Sequence, residues 1–159
     1  MFIKMLERIQ LTVGVISLTI FFIAIIIQIT SRYLGISVIW TEEVANYSFI
    51  WAVFMGAAVM VNKREHFNFD FLAQKLTGKK KIYLRIFNDL VLLMFNFAIF
   101  FYGIQAVTNF WNYNWVSLPF LKMGYVWISL PIMAITMFIY SLSHLLTSIK
   151  ELRGKEVSE

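Results

Sequence analysis

Four long apolar segments alternate with short polar ones along the chain. They cover approximately residues 11–30, 42–61, 82–107 and 125–146. Each is close to the roughly 20 residues, at about 1.5 Å of rise per residue, that an α-helix needs to cross the hydrocarbon core of a bilayer. The pattern predicts an all-α integral membrane protein with four transmembrane helices, forming a single membrane domain over residues 1–159. The length of the first segment favours a retained helix over a secretory signal.

The polar segment between the second and third apolar segments carries an amphipathic pattern. Residues 65–78, read as a helix, place three apolar side chains on one face: Phe67, Phe71 and Leu72. This arrangement favours a short amphipathic helix lying in the membrane interface. An irregular loop whose phenylalanines enter the membrane is the alternative. In either case we expect His66 and Asp70 to hold this interfacial segment in place, through hydrogen bonds or a helix cap.

Lysine and arginine are distributed unevenly among the ends of the apolar segments. Twelve of the 14 lie on one side, in the first eight residues, in residues 63–85 and in the tail 150–159. Only Arg32 and Lys122 lie on the other side. Because positive residues are retained on the cytoplasmic side, we expect both termini in the cytoplasm.

Composition narrows the classes of function. Hydrophobic residues make up 60% of the chain, its mean hydropathy is +0.72, and only 14% of residues are charged, whereas about a quarter are charged in soluble domains. The net charge of +5 is accounted for by residues that flank the apolar segments, so it does not indicate a nucleic-acid partner. The chain has no cysteine, which excludes thiolate catalysis, disulfides and cysteine metal sites.

Few groups within the apolar segments could carry chemistry. Asp89 could bind an ion or a proton, but Arg85 lies four residues earlier, a spacing that favours a structural ion pair. His66 and His144 are the only histidines. They could ligate haem, yet both lie at the edges of apolar segments, where a hydrogen-bonded or solvated role is favoured. No nucleophile–base pair or phosphate-binding loop is recognisable, so we expect no enzymatic activity, catalytic residue, metal or cofactor.

The strongest polar cluster lies on the predicted outer surface and consists of Arg32, Trp40, Glu42 and Glu43. Thr41 suits the N-cap of the second helix, which places both acids in its first turn, where the helix dipole favours negative charge. The short link brings Arg32 near the acids. Arg32 could therefore pair with one glutamate and close the hairpin, or the remaining negative charge could dock another protein. The residues alone leave both interpretations open.

The region around the second segment resembles the small membrane subunit of tripartite ATP-independent periplasmic (TRAP) transporters. Residues 39–45, Ile-Trp-Thr-Glu-Glu-Val-Ala, resemble the family's W-[ST]-E-E-hydrophobic-A entry into its second helix. Further similarities are found at Gln28, Arg32-Tyr33, Glu65-His66, Asp70-Phe71-Leu72, and Leu130-Pro131 with Trp127. Asn46 stands where some relatives carry a basic residue.

The resemblance implies a transport mechanism shared among three components. A periplasmic binding protein would capture an organic acid, such as sialic acid or a C4-dicarboxylate, and deliver it to a large multi-spanning membrane subunit driven by a sodium gradient. The small subunit would enlarge the static scaffold and help to dock the binding protein. On this interpretation Arg32, Trp40, Glu42 and Glu43 shape a docking surface or brace the large subunit.

Two other functions remain compatible with the residues alone. One is a self-contained four-helix exporter acting as a homodimer, although the first apolar segment lacks the deep carboxylate that such an exporter would need. The other is a haem or quinone membrane anchor of a respiratory enzyme.

Overall fold

Residues 2–63 and 79–156 are the parts of the chain that this computed structural model describes, and they form five helices: α1 (Phe2–Tyr33), α2 (Trp40–Asn62), α3 (Lys79–Phe110), α4 (Gly124–Trp127) and α5 (Ser129–Glu156). Four helical segments are long and apolar enough to cross a membrane, the fourth being formed by α4 and α5 together. The predicted all-α fold with four spans is thereby confirmed. The interfacial helix predicted over residues 65–78 lies outside the described residues.

The helices pack in the spatial order α1, α2, α5, α3. A small apolar core lies between α2 and α5, formed by Ala58, Val61, Met133, Met137 and Tyr140. In the most apolar stretches of α1 and α3, only 6% and 11% of residues are buried, compared with 44% in the fourth span. The outer helices α1 and α3 therefore present broad apolar faces to lipid or to a partner.

Two local features shape the helix ends. Gly35 ends α1 in the left-handed region, at φ 70°, and the backbone N–H of Ile36 bonds to the carbonyl of Ser31 at 2.9 Å. This Schellman arrangement favours glycine because a side chain is strained at that φ.

Between α4 and α5 the helix is interrupted at Ile128. Pro131, which has no N–H, cannot bond to the carbonyl four residues earlier, and this accounts for the interruption.

The fully buried positions of α3 form a single stripe along the helix, which we call the α3 seam. The buried residues among the described part of α3 recur every seventh position, at Ile82, Asp89, Asn96 and Gly103. A seven-residue period keeps one stripe of a helix against its neighbour. At Gly103 the two helices are closely packed, since an added Cβ would lie 3.2 Å from Cδ of Pro131. Small and polar residues in this seam permit close packing between membrane helices.

Candidate docking site at the link end of the bundle

The four residues of the predicted outer cluster all lie at one end of the bundle. We term this the link end because it carries the links 34–39 and 111–123; the opposite end, where α1 and α3 begin and α2 and α5 end, is the terminal end. Arg32 lies in the last turn of α1. Trp40 is the first residue of α2, and Glu42 and Glu43 lie in its first turn. The structure therefore places these four residues at the same end of the bundle.

The start of α2 differs from the prediction that Thr41 is its N-cap. Helix α2 begins at Trp40, its N-cap is Ile39, and no side chain caps it. The Thr41 side chain is fully buried, and its hydroxyl donates to the carbonyl of Val38 at 2.9 Å. A hydroxyl turned back toward the preceding chain is not available to accept from the first free N–H groups of the helix, which is the bond that defines an N-cap.

Glu43 joins α2 to the link between α3 and α4. One carboxylate oxygen accepts the backbone N–H of Val116, and the other accepts that of Ser117, both at 2.8 Å. The Ser117 hydroxyl lies 3.4 Å from the carbonyl of Ile39, to which it donates. Glu43 is half-buried, so these bonds to an ionised acceptor are partly sheltered from water and stronger than bonds between neutral groups. We call this contact the Glu43 latch.

Arg32 and Glu42 behave differently from Glu43. Both side chains are exposed. Within residues 2–63 and 79–156, neither forms an ion pair or a side-chain hydrogen bond, so the possible pairing of Arg32 with one of the glutamates is not observed there. The two acids of the motif therefore have different surroundings, since Glu43 is used by the fold and Glu42 faces solvent.

The link held by Glu43 has a defined shape of its own. Residues Asn114 and Lys122 form an isolated antiparallel bridge, and the N–H of Trp115 donates to the carbonyl of Leu121 at 2.9 Å. The Trp115 ring meets the ring of Tyr47 on α2 edge-on, with 4.4 Å between centroids. Such an aromatic pair stabilises the contact beyond the area that it buries. The link is thus fixed to α2 at two points, by a carboxylate and by an aromatic ring.

A shallow groove runs between the two links at the link end. It has a volume of about 530 Å³ and is lined by Ser37, Val38, Ile39, Trp40, Val116 and Ser117. Ile39 is 71% exposed and Val116 is 87% exposed. Apolar side chains that stand this far into solvent are typical of surfaces that contact a partner or a membrane. The Glu43 latch sets the separation of the two sides of this groove.

Side chains of α1, α2 and α5 form hydrogen bonds with one another at the terminal end. The amide of Asn62, at the end of α2, donates to the Glu7 carboxylate at 3.0 Å. The carbonyl of Asn62 lies 2.9 Å from Nε2 of His144 on α5. His144 is therefore hydrogen-bonded, as predicted for a histidine at the edge of a span, while His66 and Asp70 lie outside the described residues.

A second set of bonds lies one turn deeper in the bundle. The Tyr140 hydroxyl donates to the carbonyl oxygen of the Gln10 side chain at 2.7 Å, and the amide of Gln10 donates to the Thr136 hydroxyl at the same distance. All three side chains are buried. Together with the bonds of Asn62, they connect α1, α2 and α5. The only signal in the sequence is the placement of a glutamine and a tyrosine beside or within apolar segments, where polar groups seek partners on other helices.

Charged groups near the start of α3 make structural contacts. Nη1 of Arg85 lies 3.4 Å from the Glu151 carboxylate, and both side chains are about 40% exposed, so this pair contributes at most about 1 kcal/mol. Asp89 is buried, with 6% of its surface exposed. Among the described residues no group of three or more acids and histidines is placed to hold a metal ion.

Comparisons with known proteins agree with one another. Residues 21–151 match the family model described as tripartite ATP-independent periplasmic transporters, DctQ component. The chain is 31% identical over 112 residues to the sialic acid TRAP transporter permease protein SiaT of Haemophilus influenzae, an alignment that covers 70% of this chain and 17% of that protein. It is 32% identical over 75 residues to a candidate TRAP transporter small permease protein of Haemophilus influenzae, covering 45% of each. The chain thus aligns with less than half the length of either relative.

Proposed function

Because the chain belongs to the DctQ component family of tripartite ATP-independent periplasmic transporters, we propose that it scaffolds a large transport subunit and helps to dock a periplasmic binding protein. Components of this family are transport proteins and not enzymes, and the four apolar spans make this chain a multi-pass protein of the inner membrane. Family membership implies association with a large permease and a binding protein. The observation that carries the proposal is the match to the family model over residues 21–151.

The packing of the helices supports a scaffolding role. α1 and α3 lie at the two edges of the bundle and expose most of their apolar surface. Hydrogen bonds join α1, α2 and α5 at the terminal end and join α2 to the link 111–123 at the link end, which supports a fixed relation between the exposed faces. We propose that a single membrane domain of this kind extends the immobile part of the transporter, against which the large subunit works.

The link end supports the docking role. Arg32 and Glu42 are exposed, Trp40 is 39% exposed, and the groove between the links offers apolar side chains beside them. A surface that combines free charges with an aromatic residue suits a transient protein contact. We assign this surface to docking, and Glu43 to the positioning of the link that forms one side of it.

The direction of insertion follows from charge. Twelve of the 14 lysines and arginines occur in the first eight residues, in residues 63–85 and in the tail 150–159, and by the positive-inside rule this distribution supports a cytoplasmic terminal end. The link end then faces the periplasm, where a soluble binding protein would approach. We propose accordingly that both termini are cytoplasmic.

Substrate and energy source rest on relatives and on the family. The name of one relative says that it transports sialic acid, so we propose an organic acid of the sialic acid or C4-dicarboxylate class as the substrate. We further propose sodium-coupled symport, with the sodium and substrate sites on the large subunit. Uptake of labelled sialic acid and labelled C4-dicarboxylate, measured with and without a sodium gradient, would decide both points.

Co-purification tests the scaffolding proposal directly. A C-terminally tagged protein is extracted from native membranes in mild detergent, and its companions are identified by mass spectrometry. A much larger multi-spanning protein in about equal amount is the expected result. A lone homodimer would instead favour the four-helix exporter, and a soluble redox enzyme would favour the haem or quinone anchor.

The docking role is tested on the same purified pair. Binding of the periplasmic protein is measured for the wild type and for Arg32→Gln, Trp40→Ala and Glu42→Gln. Weaker binding with intact co-purification of the large subunit is expected. Unchanged binding in all three variants would refute the assignment of this surface to docking.

A further inference from the structure

The first two turns of α1 carry two cations and exposed apolar side chains on the same face, and we propose that this face binds an anionic phospholipid of the adjacent leaflet. Lys4 and Arg8 are four residues apart, so their side chains lie one above the other on the helix. Phe2 and Met5 lie beside them and are 58% and 55% exposed. Among the described residues, these four line a groove of about 510 Å³.

The charged side chains at the start of α1 point in different directions. Glu7 lies between the two cations in sequence, but its carboxylate accepts a hydrogen bond from the Asn62 amide at 3.0 Å and so faces the bundle. Lys4 and Arg8 are exposed, and neither forms an ion pair within residues 2–63 and 79–156. The outward face of α1 is therefore cationic there, and the acid that could neutralise it is used by the fold.

The height of the cations matches the layer of phosphate groups. The first apolar span begins near Leu11, and at about 1.5 Å per residue Arg8 and Lys4 lie about 4.5 Å and 10 Å beyond it along the helix axis. The polar layer on each side of a bilayer is about 5–8 Å thick, and a long basic side chain reaches several ångströms along the helix. Arg8 can thus contact a phosphate within the polar layer, and Lys4 lies at the outer limit of that layer, where it adds to the positive charge beside the headgroup.

The apolar side chains distinguish a lipid from a free phosphate. Ile9 is 53% exposed, and farther into the span Val15 and Ile16 are 56% and 53% exposed. By helical spacing these residues continue the face that holds Met5 and Arg8. An acyl chain can therefore follow α1 from the phosphate toward the middle of the bilayer. A phosphate ion or an acidic peptide would use the cations but leave this apolar track uncovered.

The test uses the full chain purified in detergent and measured by native mass spectrometry with added phosphatidylglycerol or phosphatidylcholine. The variant is Lys4→Gln with Arg8→Gln. The matched control is Lys150→Gln with Arg153→Gln, which removes two exposed cations from the same end of the bundle. An exposed ion pair contributes up to about 1 kcal/mol, or about fivefold in affinity. We therefore expect the α1 variant to bind phosphatidylglycerol about 5- to 25-fold more weakly, with the control within twofold of wild type.

Two further measurements complete the test. Inorganic phosphate at millimolar concentration is expected not to displace phosphatidylglycerol, and Lys4→Arg with Arg8→Lys is expected to retain binding. The proposal is overturned if phosphatidylcholine binds the wild type equally well, if both double variants lose binding equally, or if phosphate competes. Loss of the large subunit from the α1 variant with lipid binding unchanged would instead identify a protein contact. The co-purification of the wild type, which tests the proposed function, does not depend on these outcomes.

Discussion

Glu43→Gln is the substitution that best separates the fold of the link end from its role in docking. In the native protein both carboxylate oxygens accept backbone N–H groups, from Val116 and Ser117 at 2.8 Å. A glutamine has one carbonyl oxygen and can keep only one of these bonds. Its amide group would then point two hydrogens at the other N–H, which is unfavourable. The link should open more often, although the bundle itself should remain folded.

The size of the effect follows from the bonds that are lost. A hydrogen bond to a charged group contributes about 1.5–3 kcal/mol. Val116 is exposed, so its bond lies near the lower end of that range, whereas the half-buried Ser117 lies higher. Each 1.4 kcal/mol is a factor of ten in an equilibrium constant. Amide exchange that requires opening of the latch should therefore become about 10- to 100-fold faster.

Hydrogen–deuterium exchange of peptides that cover residues 111–123 measures this opening. The matched control is Glu42→Gln. It removes the same charge at the neighbouring position, from a side chain that forms no hydrogen bond to the link among the described residues. We expect exchange in the control within twofold of wild type. If Glu43→Gln leaves exchange at Val116 and Ser117 unchanged, or if Glu42→Gln accelerates it equally, the latch does not hold the link and the reasoning fails.

Three further substitutions test the packing of the spans, with the free energy of unfolding measured in mixed micelles. Tyr140→Phe removes the bond to Gln10 and leaves a buried oxygen without its donor, so stability should fall by about 1–3 kcal/mol. Gly124→Ala places a methyl group against the Trp111 ring and should cost about 1–3 kcal/mol, with a change in tryptophan fluorescence. Asn96→Leu replaces a buried amide, neither atom of which has a hydrogen-bond partner in the described chain, by an apolar group of similar shape, and should raise stability by about 1 kcal/mol.

Each of these three substitutions has a control that keeps the chemistry and changes the surroundings. The control for Tyr140→Phe is Tyr102→Phe, at a tyrosine that is 71% exposed. The control for Gly124→Ala is Gly56→Ala, because a Cβ at Gly56 would meet no atom within 4 Å. Asn109→Leu acts on an exposed residue of α3. All three controls should stay close to wild type. Equal effects in a control and its partner would mean that residue type and not burial determines the result.

The four spans could be predicted from the sequence because each apolar run is as long as a bilayer is thick. Charge placement then suggested the direction of insertion, and the acids of the link end were assigned correctly to the first turn of α2. These features depend on residues close together in the chain. Thr41 was placed wrongly because a hydroxyl near a helix start can bond forward to an N–H or backward to a carbonyl, and only the tertiary structure shows that it bonds to Val38.

Contacts between segments that are distant in the chain could not be predicted from the sequence. The partners of Glu43 are backbone N–H groups more than 70 residues away, and a backbone N–H has no side-chain signature. At the terminal end, Gln10 and Tyr140 are bonded across 130 residues. Polar residues within spans seek partners on other helices, but the sequence does not indicate which pairs form. The burial of Asn96 could not be predicted either. The buried positions of α3 recur every seventh residue, but nearly all residues around them are apolar, so the period is not visible in the sequence.

At both ends of the bundle, one charged side chain forms hydrogen bonds within the fold while its charged neighbours stay exposed. At the link end two adjacent glutamates are divided, so that Glu43 turns inward to hold the link and Glu42 stays exposed. At the terminal end Glu7 turns inward to Asn62, while Lys4 and Arg8 stay exposed. A carboxylate that accepts hydrogen bonds within the fold is turned away from the surface and is less available to a partner, so neighbouring charges of one helix take separate roles. The two acids of the motif are therefore not redundant: loss of Glu43 should disturb the surface itself, and loss of Glu42 should disturb only what binds to it.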